Sequence, residues 1–138
     1  MKKTLIVCLL FGAVLMGCER KSEVNESEVQ RLHDRMLVVH DSIMPLTGTL
    51  MSLKQKCQQQ ADASADSSEA NTWFLKAKSL DNAYNEMMNW MHRYAVIKDT
   101  AGVAVLQMEL RGIEAVAVHY GHSMADARQA LQSLDSLK

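Results

Sequence analysis

Proline and aromatic residues are scarce in this chain of 138 residues. Pro45 is the single proline, and aromatic residues make up 5% of the sequence. The residues after position 17 are instead rich in Ala, Leu, Met, Gln and Glu, which are strong helix formers. These features predict an all-α domain.

Cysteine is also scarce, and its placement excludes a disulfide framework within the chain. Cys8 lies in an apolar N-terminal run, Cys18 follows that run, and Cys57 is the one cysteine left in the remaining sequence. Because Cys57 falls on an apolar helical stripe, we expect a buried and unreactive thiol.

Basic residues are too few and too scattered for a nucleic-acid interface. If residues 1–17 are removed with Lys2 and Lys3, 13 basic residues face 16 acidic ones, which gives a net charge of −3. Since nucleic-acid binding depends on a basic surface that neutralises phosphates, we expect no nucleic-acid partner.

The N-terminus has the layout of a secretory signal. Lys2 and Lys3 precede an uncharged apolar run from Leu5 to Met16. A membrane-spanning helix needs about 20 apolar residues, so this run is too short to span but has the length of a signal core. Gly17 then supplies a small residue before the cleavage point, and Cys18 follows it directly.

The segment Leu15-Met16-Gly17-Cys18 resembles the lipobox of bacterial lipoproteins, although Met16 departs from the usual small or β-branched residue. The resemblance implies that residues 1–17 are removed, that the Cys18 thiol receives a diacylglycerol, and that the new amino terminus is acylated, as with palmitate. Such a protein is held in the bacterial cell envelope by its lipid, facing the periplasm or the cell surface. Two alternatives remain: an ordinary signal peptide with an incidental cysteine, or a plain anchor helix.

The lipid is expected to be the membrane contact of the mature protein. One acyl chain binds a bilayer marginally, whereas two or more hold firmly, and the sequence shows no second long apolar run. We therefore expect a lipidated tether over residues 18–24 and a helical bundle domain over residues 25–138.

Apolar residues recur at alternating spacings of three and four, which is typical of supercoiled helices. Three segments show this pattern, and together they predict three long helices in an up-down-up bundle with coiled-coil-like seams. A helical hairpin that oligomerises through the same seams is the alternative. The positions are Val29, Leu32, Met36, Val39, Ile43, Leu46, Leu50, Leu53 and Cys57; Trp73, Ala77, Leu80, Tyr84, Met87, Met91 and Tyr94; and Val103, Leu106, Leu110, Ile113, Ala117, Tyr120, Met124, Ala127, Leu131 and Leu134.

Helix boundaries follow from capping residues and from Pro45. Residues 58–69 contain no large apolar side chain and suggest a linker, after which Asp66 can cap a helix with Glu69 three positions later. Asn25 with Glu28 suits the start of the first helix, and Asp99 or Thr100 the start of the third. Pro45 removes a backbone donor and clashes with the preceding turn, so we expect the first helix to be kinked near Pro45, with a kink or break near Asp41.

Catalytic motifs are not recognisable. The chain shows no nucleophile elbow, phosphate loop, dinucleotide fingerprint or paired-cysteine metal motif. Two His-Asp dipeptides, at His33 and His40, recur one heptad apart, but adjacent helical residues point about 100° apart and the aspartates are expected in solvent. We therefore expect a protein that is not an enzyme.

Methionine and histidine supply one candidate site. Met and His recur at helical spacing of four, and hairpin turns near residues 64 and 100 would bring these positions to one level of the bundle. Thioether and imidazole ligands suit Cu(I), whereas core packing by adaptable methionines is the simpler interpretation. The candidate slab consists of Met36, His40, Met44, Met88, Met91, His92 and Met108.

Two short segments, His40 to Leu46 and Met87 to His92, resemble a group of small helical bacterial lipoproteins of unassigned function. Some members carry the label "viral A-type inclusion protein". The resemblance implies no catalytic residues. The leading hypothesis is a non-enzymatic envelope lipoprotein, without a cofactor, that binds a partner protein or supports an envelope complex. Cu(I) binding by the slab is the alternative.

Overall fold

The computed structural model describes residues 19–136 and confirms an all-α fold. Helix α1 spans Glu19–Ile43, a single 3-10 turn spans Met44–Leu46, and α2 spans Thr47–Ala63; α3 spans Ser67–Ile97 and α4 spans Val103–Asp135. Since α1, the 3-10 turn and α2 follow one another without a loop, they form one long first rod. The rod, α3 and α4 run up, down and up in a three-helix bundle. The signal segment and Cys18 lie outside the described residues.

Helix α1 begins at Glu19, so the expected start at Asn25 is wrong. Residues 19–24, expected to form a tether, are helical in the structure. The reason is local, because Glu, Arg and Lys are good helix formers and neither proline nor glycine interrupts this stretch.

Pro45 interrupts the first α-helix, as the sequence predicts: α1 ends at Ile43, the 3-10 turn follows, and α2 starts at Thr47. The 3-10 turn takes Pro45 near its N-terminus, where a missing N–H costs little, and the Thr47 N–H donates to the Met44 carbonyl. The turn also marks a change of neighbour, since α1 packs mainly against α4 whereas α2 packs mainly against α3. We call the half that holds α1 and the turn Lys98–Gly102 the near half. The half that holds α2 and the turn Ser64–Asp66 is the far half.

The far turn is capped as the sequence predicts. The Asp66 carboxylate accepts a hydrogen bond of 2.8 Å from the Glu69 N–H, which satisfies one of the free donors at the start of α3. Helix α2 extends to Ala63, so the linker is shorter than the polar stretch 58–69 suggested. Ser64 ends α2, with its N–H and its hydroxyl both donating to the Gln60 carbonyl.

The near turn is capped differently from the prediction. Gly102 is the N-cap of α4 and offers no side-chain hydrogen bond, so the assignment of Asp99 or Thr100 as the cap is wrong. The N–H groups of Thr100 and Ala101 instead fold back onto the Ile97 carbonyl. These bonds prolong the C-terminal end of α3 through Ala101. The backbone therefore adopts the extended conformation of an N-cap residue only at Gly102, where α4 starts.

The core follows the predicted seams with four additions, while several seam residues are partly buried against it and one is exposed. Leu32, Met36, Leu50, Leu80, Leu106 and Ile113 are among the seam residues buried in it. Ala83, Trp90, Val116 and Ser123 are also buried, because a helix that packs on two neighbours buries a wider stripe than a two-helix seam. Leu46 is exposed. It lies in the 3-10 turn, where each residue advances about 120° instead of 100° and moves the side chain off the seam.

By length and composition, one helix of the described part would pass for a membrane span. It covers Asn25–Ala63 and contains a stretch of mean hydropathy 1.2. The same helix carries core residues such as Leu32, Met36 and Leu50, and Asp41 is exposed near its middle. These apolar residues contribute to the bundle core, in which 22% of the apolar stretch is buried.

Candidate functional site: a histidine, aromatic and thioether cluster

Two histidines of α1 meet three side chains of α3 in the near half. His33 and His40 are seven residues apart, so they project from the same face of α1. On the facing side of α3, the Tyr94 hydroxyl lies 2.7 Å from the His33 Nδ1 and forms a hydrogen bond with it. The rings of Tyr94 and Trp90 stack with centroids 4.9 Å apart. This set, completed by Met91, is called the His–Met cluster below.

Trp90 forms the floor of the cluster. Its side chain is buried, its indole N–H donates to the Glu109 carbonyl of α4 over 3.1 Å, and its ring centre lies 6.1 Å from that of His40. Trp90 therefore connects the cluster to all three long helices. It flanks the heptad seam, so the periodicity missed it. The sequence signal that could have identified Trp90 was a large aromatic residue next to the methionine-rich segment.

His40 presents a nitrogen to a thioether. Its Nε2 lies 3.2 Å from the Met91 sulfur, and its Nδ1 lies 2.8 Å from the Asp41 carboxylate. The contact is a hydrogen bond when Nε2 carries the proton and donates to the sulfur; in the tautomer whose Nδ1–H donates to Asp41, Nε2 instead holds a free lone pair beside the sulfur. A carboxylate that orients an imidazole in this way is a frequent outer partner of metal-binding histidines.

The seven residues of the predicted slab lie at different depths. Met36 is fully buried, whereas Met108 is 64% exposed and His92 is also exposed. His40, Met44, Met88 and Met91 are intermediate. The slab therefore extends from core to solvent, and the direct contact that the structure gives within it is His40 with Met91.

Ligands other than thioethers do not gather in the described part. Over residues 19–136 there is no group of three or more His, Cys, Asp or Glu side chains placed to hold a metal ion. The contact of His40 with the Met91 sulfur is the candidate metal-binding arrangement that the described residues offer. Thioether sulfur favours Cu(I) over Zn(II) or Mg(II).

Burial raises the pKa of two ionisable groups, the Tyr94 phenol and the Cys57 thiol. Burial raises the pKa of the Tyr94 phenol, an effect that Lys98 opposes and that Asp34 and Asp99 reinforce. The phenol therefore stays protonated at neutral pH and remains able to bond His33. Burial likewise raises the pKa of the Cys57 thiol, with Lys76 opposing and Asp126 reinforcing the effect. Since Cys57 is fully buried and its thiolate is disfavoured, the predicted packing role agrees with its environment.

Comparison of the chain with protein-family models, with curated proteins and with solved structures finds no match. The lipobox and the likeness to small helical lipoproteins stay predictions, and function has to be argued from the molecule itself.

Proposed function

We propose that this chain is a non-enzymatic lipoprotein of the bacterial cell envelope, anchored through lipid on Cys18, whose helical bundle binds a partner protein. The observation that carries the proposal is the position of Cys18, directly after a charge-free apolar run and Gly17.

A partner surface is best supported in the far half. Phe74 is exposed on α3 and lines a groove of about 260 Å³ with Lys54 and Lys78. A second groove on α2, lined by Met51 among others, shares Lys54 with the first. Partly exposed aromatic and methionine side chains between long polar ones are typical of protein-binding surfaces.

The anchoring is tested by mass spectrometry of the protein isolated from membranes. The expected mature chain begins at Cys18 and carries acyl mass. Cys18→Ala is expected to remain as unprocessed precursor. A mature amino terminus elsewhere, without acyl mass, would contradict the lipoprotein proposal.

The partner proposal is tested by crosslinking in intact cells. A photo-crosslinking residue at position 74 is expected to capture one defined protein, whereas the same residue at position 59, exposed on α2, serves as the matched control. Phe74→Ser in a chain that carries the crosslinker at position 78 should reduce the capture. Equal capture from positions 59 and 74 would contradict a specific surface there.

Cu(I) binding is the second candidate function, favoured by the 3.2 Å contact between His40 and Met91. We infer that these two side chains would form the centre of such a site, with Met44 or Met88 as a further ligand, since both are half-buried and near in sequence. Thioethers do not titrate, but the imidazole must be neutral to bind, so affinity should weaken in acid.

Competition against a Cu(I) chelator under reducing conditions tests this candidate, with Cys57→Ser throughout to remove the thiol. Met91→Leu keeps the volume roughly and should cost under about 1.5 kcal/mol of stability. It should nevertheless lower the Cu(I) affinity at least tenfold. Met108→Leu, at a largely exposed position, is the control and should leave the affinity unchanged. Binding no tighter than micromolar, or equal loss from both variants, would leave the methionines as packing residues.

A further inference from the structure

The two turns of the bundle differ in composition. From Ala95 to Met108 the chain carries valine, isoleucine, leucine and methionine, with Lys98 and Asp99 as its only charged residues. The stretch 58–69 around the far turn carries no such side chain and is acidic, with Asp62, Asp66 and Glu69 and no basic residue. The near turn itself reads Lys98-Asp99-Thr100-Ala101-Gly102, so the apolar side chains lie on the helix ends that flank it.

Part of the apolar surface of the near half is exposed. Val96 is 79% exposed, Met108 64% and Val105 45%. Val96 and Val105 line a groove of about 400 Å³ between the end of α3 and the start of α4. Val96 and Val105 lie in or next to the terminal turns that flank Lys98–Gly102, and Met108 follows one turn later on α4.

The charges of this region are balanced. Lys98 lies 3.1 Å from Asp99, and Arg93 lies 3.6 Å from Glu109. The near turn is therefore close to neutral, whereas the far turn carries three acidic residues. The near turn itself is therefore not repelled by an anionic bilayer, and the long stem of Lys98 can place its ammonium among lipid headgroups. Residues 19–28 of α1, at the same end, carry four glutamates against Arg20 and Lys21, so the contact has to rest on apolar side chains.

The near turn lies close to the proposed anchor. Glu28 Oε1 and Gln107 Nε2 are 3.4 Å apart, which puts these residues of α1 and α4 at one level. At 1.5 Å per residue, Glu19 lies about 14 Å below that level and Gly102 about 8 Å below it. The turn is thus about 6 Å above Glu19 along the bundle, comparable with the roughly 5–8 Å thickness of one headgroup layer.

We propose that the near end of the bundle rests on the lipid bilayer, with Val96 and Val105 against the interfacial region beside the anchor. The proposal depends on the lipid attachment at Cys18 proposed above, and it adds a second membrane contact to the lipid. A bundle held at two points has a fixed orientation, so the far half with Phe74 faces away from the membrane.

The test uses the full-length lipidated chain in vesicles of phosphatidylethanolamine and phosphatidylglycerol. An environment-sensitive fluorophore is attached to Val96→Cys or, as a matched control, to Val118→Cys, which is 58% exposed on α4. Position 118 lies about 24 Å above Gly102 at 1.5 Å per residue. Cys57 is buried and Cys18 would be acylated, so labelling is directed to the introduced thiol.

Brominated lipids are expected to quench the probe at position 96 several-fold more strongly than the probe at position 118. Val105→Asp should reduce the quenching at position 96 several-fold, whereas Val118→Asp should not, with unchanged helical content confirming that both variants fold. Equally weak quenching at both positions in vesicle-bound protein overturns the bilayer contact and leaves the lipid anchor intact. Failure of the protein to remain with the vesicles overturns the anchor and the contact together.

Discussion

The near and far halves of the bundle share one heptad pattern but differ in interior chemistry. In the far half, α2 packs on α3 through Leu50, Leu53, Cys57 and Leu80, all of them buried aliphatic or thiol side chains. In the near half, the interface of α1 and α3 contains the His–Met cluster, with hydrogen-bonding groups and stacked rings. Apolar burial dominates the interface of α2 and α3, to which the ion pair of Lys54 with Asp81 is added, whereas the interface of α1 and α3 requires paired polar groups in its interior.

The 3-10 turn at Met44–Leu46 separates these two environments. The first rod changes its main neighbour there, so α1 packs less closely on α3 than α2 does. His33 and His40 lie on the face of α1 that is turned toward α3. Exposed apolar residues beside the near turn and a capped acidic far turn extend the contrast to the two ends. We therefore expect the far half to dominate stability and the near half to carry any ligand chemistry.

The largest effect is expected in the far half from Leu50→Asp. Leu50 is fully buried, so the change removes apolar burial and places an unpaired carboxylate in the core, at a cost of about 4 kcal/mol or more. Gln59→Asp, on the exposed face of the same helix, should cost under about 0.5 kcal/mol. Thermal unfolding followed by circular dichroism measures both. Equal shifts of the midpoint would show that the core assignment is wrong.

A smaller effect is expected in the near half from Trp90→Phe. The change shrinks a buried ring and removes the N–H that bonds the Glu109 carbonyl, at a cost of roughly 2 kcal/mol. Trp73→Phe in the far half is the matched control, since Trp73 is also buried. Denaturant unfolding should show the larger loss for Trp90. A larger loss for Trp73 would contradict the role of Trp90 as the link between the cluster and α4.

The contrast between the halves also shows how much a sequence can predict. Spacing of three and four located the buried seam residues in both halves, because side-chain direction on a helix is fixed by geometry. It could not locate Trp90 or Val116, whose burial depends on which second neighbour each helix meets. The pairing of His40 with Met91 was anticipated only as one of many contacts in a slab. Selecting it required the relative rotation of α1 and α3, which no local pattern contains.

Helix starts show the same limit. Asp66 was predictable as a cap because its side chain bonds a donor three residues away. Gly102 was not, since Asp99 and Thr100 are better N-cap residue types, and the bonds of Thr100 and Ala101 to the Ile97 carbonyl decided the outcome.

The two turns can be compared directly by removing their acidic residues. Asp66→Ala should cost about 1 kcal/mol, because the Glu69 N–H loses its acceptor at the start of α3. Asp99→Ala should cost well under half of that, since Asp99 is exposed and pairs with Lys98 in solvent. Urea unfolding of the two variants checks the difference. A cost for Asp99 as large as that for Asp66 would contradict the assignment of Gly102 as the cap of α4.

The smallest effect, and the one that depends on pH, concerns Tyr94. At neutral pH, Tyr94→Phe removes the hydrogen bond to His33 in the near half and should cost about 1 kcal/mol. Tyr84→Phe is the matched control, because Tyr84 is also half-buried on α3 and leaves the bond between His33 and Tyr94 in place. Denaturant unfolding at neutral pH should therefore show a loss for position 94 that position 84 does not share.

The alkaline range separates a buried phenol from a surface one. Burial raises the Tyr94 pKa above its ordinary value of 10.0, so the folded chain holds this proton more tightly than the unfolded chain does. The resulting stability is fully present below about pH 10 and is lost as the pH rises through the folded pKa. Phenylalanine has no such proton, so the stability gap between the wild-type chain and Tyr94→Phe should narrow in strong alkali. Unfolding free energies at a series of alkaline pH values measure the gap. A gap that stays constant or widens would show that the Tyr94 hydroxyl is not held as a neutral donor or acceptor against His33.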